Sequence, residues 1–100
     1  MPTLPYSSSD YLQTDEDIID YLDAAMEDGD SRVLLLALRN AAIAKGGIAK
    51  MAEITGLNRE SLYKTLSEQG NPQYDTVAAI VHGLGFRFSI QRDSSDLQAA

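Results

Sequence analysis

Five side chains able to bind nucleic acid crowd one short stretch: Arg59, Glu60, Ser61, Tyr63 and Lys64. An arginine can fork onto the two acceptors of guanine, and a glutamate can accept from the amino group of cytosine. Serine, tyrosine and lysine reach phosphate oxygens. If this stretch is helical, the five lie away from the inward stripe of Leu62 and Leu66, which are four apart. The free amides at the start of such a helix also favour a phosphate nearby. This chemistry reads a duplex. The same arrangement is also what an ordinary solvated helix presents, and spacing alone leaves both readings open.

The elements that would position these residues span residues 48–69. A first helix is predicted from Ile48 to Thr55, with Ile48, Met51, Ala52 and Thr55 on one face. Ala52 is small where two helices must cross. Gly56 suits the left-handed conformation that often ends a helix. Leu57 tucks under the turn. Asn58 is a good N-cap for the second helix. Ser61 stands where Glu or Gln would complete a capping box, so the box is half present. Together this predicts a helix-turn-helix with Lys50 on its first helix and the polar row on its second.

Other chemistry is poorly supported. His82 is the only histidine, and there is no cysteine. A lone helical histidine is usually a surface or packing residue. No Gly-rich phosphate loop precedes a helix. The Asp-rich run near residue 20 fails as a calcium loop, because its alternation breaks at Ile19 and no glycine stands at the turn. No metal, cofactor or catalytic activity is expected.

The 100 residues fit one domain, and a hydrophobic share of 44% allows a small core. The lack of cysteine excludes disulfides and suits a reducing cytoplasm. No apolar run approaches about 18 residues, so no membrane span is expected. The start of the chain lacks a basic region and a signal-type apolar segment. The net charge of −7 is unevenly distributed. Residues 1–30 contain nine acids and no Lys or Arg; residues 31–92 contain all eight bases and four acids. An acidic head on a mildly basic body suggests two partners, one of them anionic. An acidic helix kept soluble by its charge would have the same composition.

Residues 1–13, with Pro2, Pro5 and three serines, are predicted to form an extended arm, with Tyr6, Tyr11 and Leu12 able to pack on the body. Thr14 with Asp17 resembles a capping box. The helix that follows has an apolar stripe of Ile18, Ile19, Leu22, Ala25 and Met26, and should stop near Asp28. Asp20, Asp23 and Glu27 point away from that stripe. Asp30 caps a helix over about 31–45 that is apolar most of the way round, and so is expected at the buried centre. Gly70-Asn71-Pro72 stops the helix-turn-helix. A helix over about 74–84 buries Val77, Ile80, Val81 and Leu84. Alternation in 86–90 predicts a short strand. Its open edge could pair with the same strand of a second copy, giving a homodimer, or with the N-terminal arm. Residues 92–100 are expected to be a flexible tail.

With these residues in view, the chain resembles the addiction-module antidote proteins, a HigA-like branch of the Xre, or lambda-repressor-like, helix-turn-helix group. The likeness covers roughly residues 10–91. It rests on Tyr21-Leu22 with the following Asp-Gly-Asp, on Ala37-Leu38, on Ala44-Lys45-Gly46, and on the run from Thr55 to Ser67. Gly70-Asn71-Pro72, Asp75-Thr76 and Gly83-Leu84-Gly85 continue it. The resemblance implies an all-α, lambda-repressor-like bundle of about five helices, with the short C-terminal β-strand read above. It implies an antitoxin of a type II toxin-antitoxin module that captures a small basic toxin of the RelE or HigB type. It also implies binding to double-stranded operator DNA and autorepression. The DNA contacts carried over are Arg59, Glu60 and Ser61, with Tyr63 and Lys64 nearby and Lys50 toward the backbone. Charge, not the resemblance, assigns Asp17, Asp20, Asp23 and Glu27 to a basic toxin. A stand-alone repressor of the same group, or a protein-interaction domain without DNA binding, is the alternative.

Overall fold

Thr14 starts the first helix with a reciprocal cap. The Asp17 amide donates to Thr14 Oγ1 at 3.1 Å, and the Thr14 amide donates to Asp17 Oδ2 at 3.1 Å. Two otherwise orphaned amides are thereby satisfied. Helix α1 then runs Asp15–Asp28 and closes on Gly29 at a φ of 84°. Asp30 caps α2, Ser31–Ala44, by accepting from the Arg32 amide at 2.9 Å. Helices α3 (Ile48–Thr55), α4 (Arg59–Thr65) and α5 (Tyr74–Gly83) follow. This computed structural model describes residues 11–67, 71 and 73–93. The described residues are all-helical, with five helices.

The short Gly29-Asp30 connection folds α1 back along α2. Near the open end Lys45 pairs with Asp15 at 2.9 Å; further along, Asn40 donates to the Tyr21 hydroxyl at 2.8 Å. Ile18, Leu22 and Ala25 carry the apolar contact from α1. Leu35, Leu38, Met51, Leu62, Ile80 and Leu84 are the largest fully buried side chains, and they come from α2 through the end of α5. Buried Ala37, Ala41 and Ala42 let α2 lie close to its neighbours. Burying a Leu, Ile or Met side chain stabilises by roughly 1.5–3 kcal/mol, so this cluster holds the short α3 and α4 in place.

Several expectations need correcting. Ile19 and Met26 are not in the core; they are 43% and 48% exposed. Successive helical residues point about 100° apart, so Ile18 and Ile19 cannot both face α2. Met26, seven residues on, shares Ile19's outer flank. Likewise α2 is not buried all round, since Val33, Leu36 and Ile43 face outward. The second helix of the corner is shorter than expected. The Ser67 amide and hydroxyl both donate to the Lys64 carbonyl, at 3.2 and 2.7 Å, which tightens and ends the last turn.

The strand expected over 86–90 is not formed, and no strand occurs among the described residues. The segment instead folds back along α5. The Phe86 amide donates to the Val81 carbonyl at 3.1 Å, and the Phe88 ring stacks on Tyr74 with centroids 6.1 Å apart. A strand requires a hydrogen-bonded ladder, and no neighbour among the described residues supplies one. The alternation instead marks Phe86 and Phe88 packing on the helices. Leu12 is buried and Tyr11 exposed. The expectations for residues 1–10, including Tyr6, and for 94–100 lie outside the described residues.

Candidate nucleic-acid interface

Gly56 makes the corner. Its φ of 76° ends α3, and its amide donates to the Ala52 carbonyl at 2.9 Å. Thr55 fixes the exit direction, because Oγ1 donates to the Met51 carbonyl at 2.8 Å and accepts from the Leu57 amide at 3.2 Å. Leu57 packs against the core. Asn58 then caps α4, its Oδ1 accepting from the Ser61 amide at 3.0 Å. The cap works without the second half of the box.

Leu62 and Leu66 are buried and root α4 in the core. Arg59, Glu60, Ser61, Tyr63 and Lys64 are all exposed on its outer side. The Arg59 guanidinium carbon lies 6.0 Å from the Tyr63 ring centroid, at the outer range of a cation–π contact. Neither Arg59 nor Lys64 forms an ion pair among the described residues. Lys50 is exposed on α3, and its stem lies over Gly46. The structure thus brings five of the six DNA-binding candidates together on α4 and leaves Lys50 on the adjoining helix.

The acidic candidates divide in two. Asp17 is committed to capping. The Gln13 and Thr14 backbone amides hold its carboxyl below the usual carboxylate range, with the Thr14 hydroxyl adding to this. Asp20, Asp23 and Glu27 are exposed on one flank of α1. Asp23 and Glu27 border a groove of about 340 Å³ whose walls include Ile19, Met26, Phe86 and Phe88. The sequence reading assigned Ile19 and Met26 to the core and so missed that groove; the adjacency of Ile18 and Ile19 was the available signal. Among the described residues no group of three or more His, Cys, Asp or Glu could hold a metal ion. No helix there is long and apolar enough to cross a membrane.

A family model described as "probable addiction module antidote protein" matches residues 3–92. The chain belongs to this antidote family. The chain is also similar to an uncharacterised protein of Haemophilus influenzae, with 31% identity over 87 residues covering 87% of this chain and 89% of the relative. No solved structure matches it. Membership in an antidote family carries an antitoxin role and implies a toxin as partner. Both the corner and the acidic α1 fall within the matched residues.

Proposed function

We propose that this antidote is also a sequence-specific DNA-binding protein of the lambda-repressor-like, Xre group, which represses its own operon through α4. The observation that carries this reading is the exposed row of Arg59, Glu60, Ser61, Tyr63 and Lys64, anchored from beneath by Leu62 and Leu66. A rigid corner holding a short helix outward suits entry into a major groove. Arg59 and Glu60 read base edges, Ser61 and Tyr63 bond phosphates or bases, and Lys64 and Lys50 neutralise phosphates. The excess of basic residues over 31–92 supports this despite the overall charge of −7. The protein acts as a homodimer on two half-sites. Its toxin is a small basic ribonuclease of the RelE or HigB type, held through the acidic flank of α1 in the cytoplasm.

Two measurements test this. Binding to the DNA upstream of the protein's own gene, against a scrambled duplex, is followed by fluorescence anisotropy across salt concentrations. If each protomer neutralises about three phosphates, the log–log slope for a dimer is about −5. Equal affinity for both duplexes would remove the repressor reading. Co-expression with the neighbouring reading frame tests the antidote half: growth arrest by that product alone, relieved by this chain, is the expected result.

A further inference from the structure

The groove between α1 and the segment 86–91 has an apolar floor and one acidic lip. Ile19 and Met26 expose apolar surface two turns apart on α1, and Phe86 and Phe88 form the facing wall. Asp23 and Glu27 stand on the α1 lip, and neither forms an ion pair among the described residues. Arg87 lies on the other side. Helix α1 carries seven acids and no Lys or Arg over its 14 residues; Asp23 and Glu27 are the two of them that line the groove, and Arg92 lies with them on an adjoining cavity.

We propose that this groove is the toxin-docking surface, and that its occupant is a basic amphipathic helix of the toxin. The proposal rests on the antidote reading for the identity of the partner. The apolar face of the helix covers Ile19, Met26 and Phe88, while a row of Lys or Arg lies along Asp23 and Glu27. This is helix-in-groove recognition with charge setting orientation and encounter rate. A second copy is the wrong occupant. A two-fold contact brings the same patch against itself, and among the described residues lining the groove it sets only Arg87 against two acids, Asp23 and Glu27. The chain's own ends do not fit either, because residues 1–10 and 94–100 contain no Lys or Arg.

The test uses the full chain and a labelled amphipathic Leu/Lys peptide about 15 residues long, long enough to form a helix once docked. An otherwise identical Leu/Glu peptide is the control. The Leu/Lys peptide is expected to bind at low salt and to weaken at about 0.3 M salt. Amide NMR shifts should cluster at Ile19, Met26 and Phe88. Asp23→Lys with Glu27→Lys should cut affinity about tenfold or more, and Met26→Gln should weaken it without changing the salt dependence. These side chains are exposed, and circular dichroism checks that the variants fold. Equal binding of both peptides, or shifts centred on α4, would overturn the proposal. So would shifts at Ile19 and Met26 that follow protein concentration alone, since these signal a second copy in the groove. Neutralisation of the co-expressed toxin separates the two readings. If the wild type neutralises and the double variant does so equally well, the groove proposal falls alone. If the wild type does not neutralise, the antidote reading falls, and the assignment of the groove to a toxin falls with it.

Discussion

Gly83 faces Thr55 across the contact between α5 and α3. A β-carbon on Gly83 would stand 2.8 Å from Thr55 Cγ2 and 2.8 Å from Met51 Sδ. Thr55 cannot turn aside, because its hydroxyl is held by the Met51 carbonyl and the Leu57 amide. The glycine therefore sets how closely the corner sits on α5. Alanine gains up to about 1 kcal/mol in helix preference, but overpacking costs about 1–3 kcal/mol. Gly83→Ala is expected to lose about 1–2 kcal/mol in urea unfolding. Thr55→Ser removes the obstructing methyl and keeps both hydrogen bonds, so the double variant should recover part of that loss. Strict additivity of the two changes would mean that Thr55 is not the obstacle.

The cap on α4 should matter more than its single hydrogen bond suggests. A helix of seven residues is not stable alone, and its start depends on Asn58. Asn58→Ala is predicted to cost about 1 kcal/mol, and Asn58→Ser only a few tenths. Because Ser61 and Arg59 move with the frayed turn, operator affinity should fall in the alanine variant and hold in the serine one. Loss of affinity in both would point to a direct contact by Asn58.

Acid should loosen the start of α1. Asp17 has its carboxyl lowered by the Gln13 and Thr14 amides, and Asp30 has its own lowered by the Arg32 amide. A folded-state value below the unfolded one stabilises the protein above the unfolded value. That stabilisation is lost as pH falls through the folded value. The urea midpoint should therefore drop as pH is taken down from about 5, and Asp17→Asn should flatten that drop. An unchanged slope in the variant would assign the acid sensitivity elsewhere.

Local signals were legible in the sequence. The Thr14–Asp17 box, the left-handed Gly56 and the Asn58 cap each depend on a few neighbouring residues, and each is present in the structure. What depends on distant partners was not legible. Ile18 and Ile19 look alike until α2 selects one of them. Phe86 and Phe88 alternate like a strand, yet Lys45 lies over the first ring and Tyr74 stacks on the second. The tight approach at Gly83 comes from α3, some thirty residues earlier in the chain. Asp17 read both as the capping partner of Thr14 and as an acid for a basic toxin, and the structure adds a second backbone donor to it, from Gln13. The polar row on α4 was readable because Leu62 and Leu66 fix its phase.

Arg59 and Lys64 should separate base reading from charge. Both are exposed and form no ion pair among the described residues, so their removal should change folding stability by no more than about 0.5 kcal/mol. Arg59→Ala is predicted to cost about 1–3 kcal/mol on the operator and to relax preference at one base pair in each half-site. Lys64→Ala should weaken operator and scrambled duplex alike, and reduce the salt slope by about 1 for each protomer. Tyr63→Phe keeps the ring beside the guanidinium and should spare base preference, unless the hydroxyl itself reads the duplex. Anisotropy titrations of the variants on operator and single-substitution duplexes measure all three effects. If Arg59→Ala retains the full base preference while Lys64→Ala loses it, the two roles are reversed. The helix would then enter the groove rolled toward its C-terminal end.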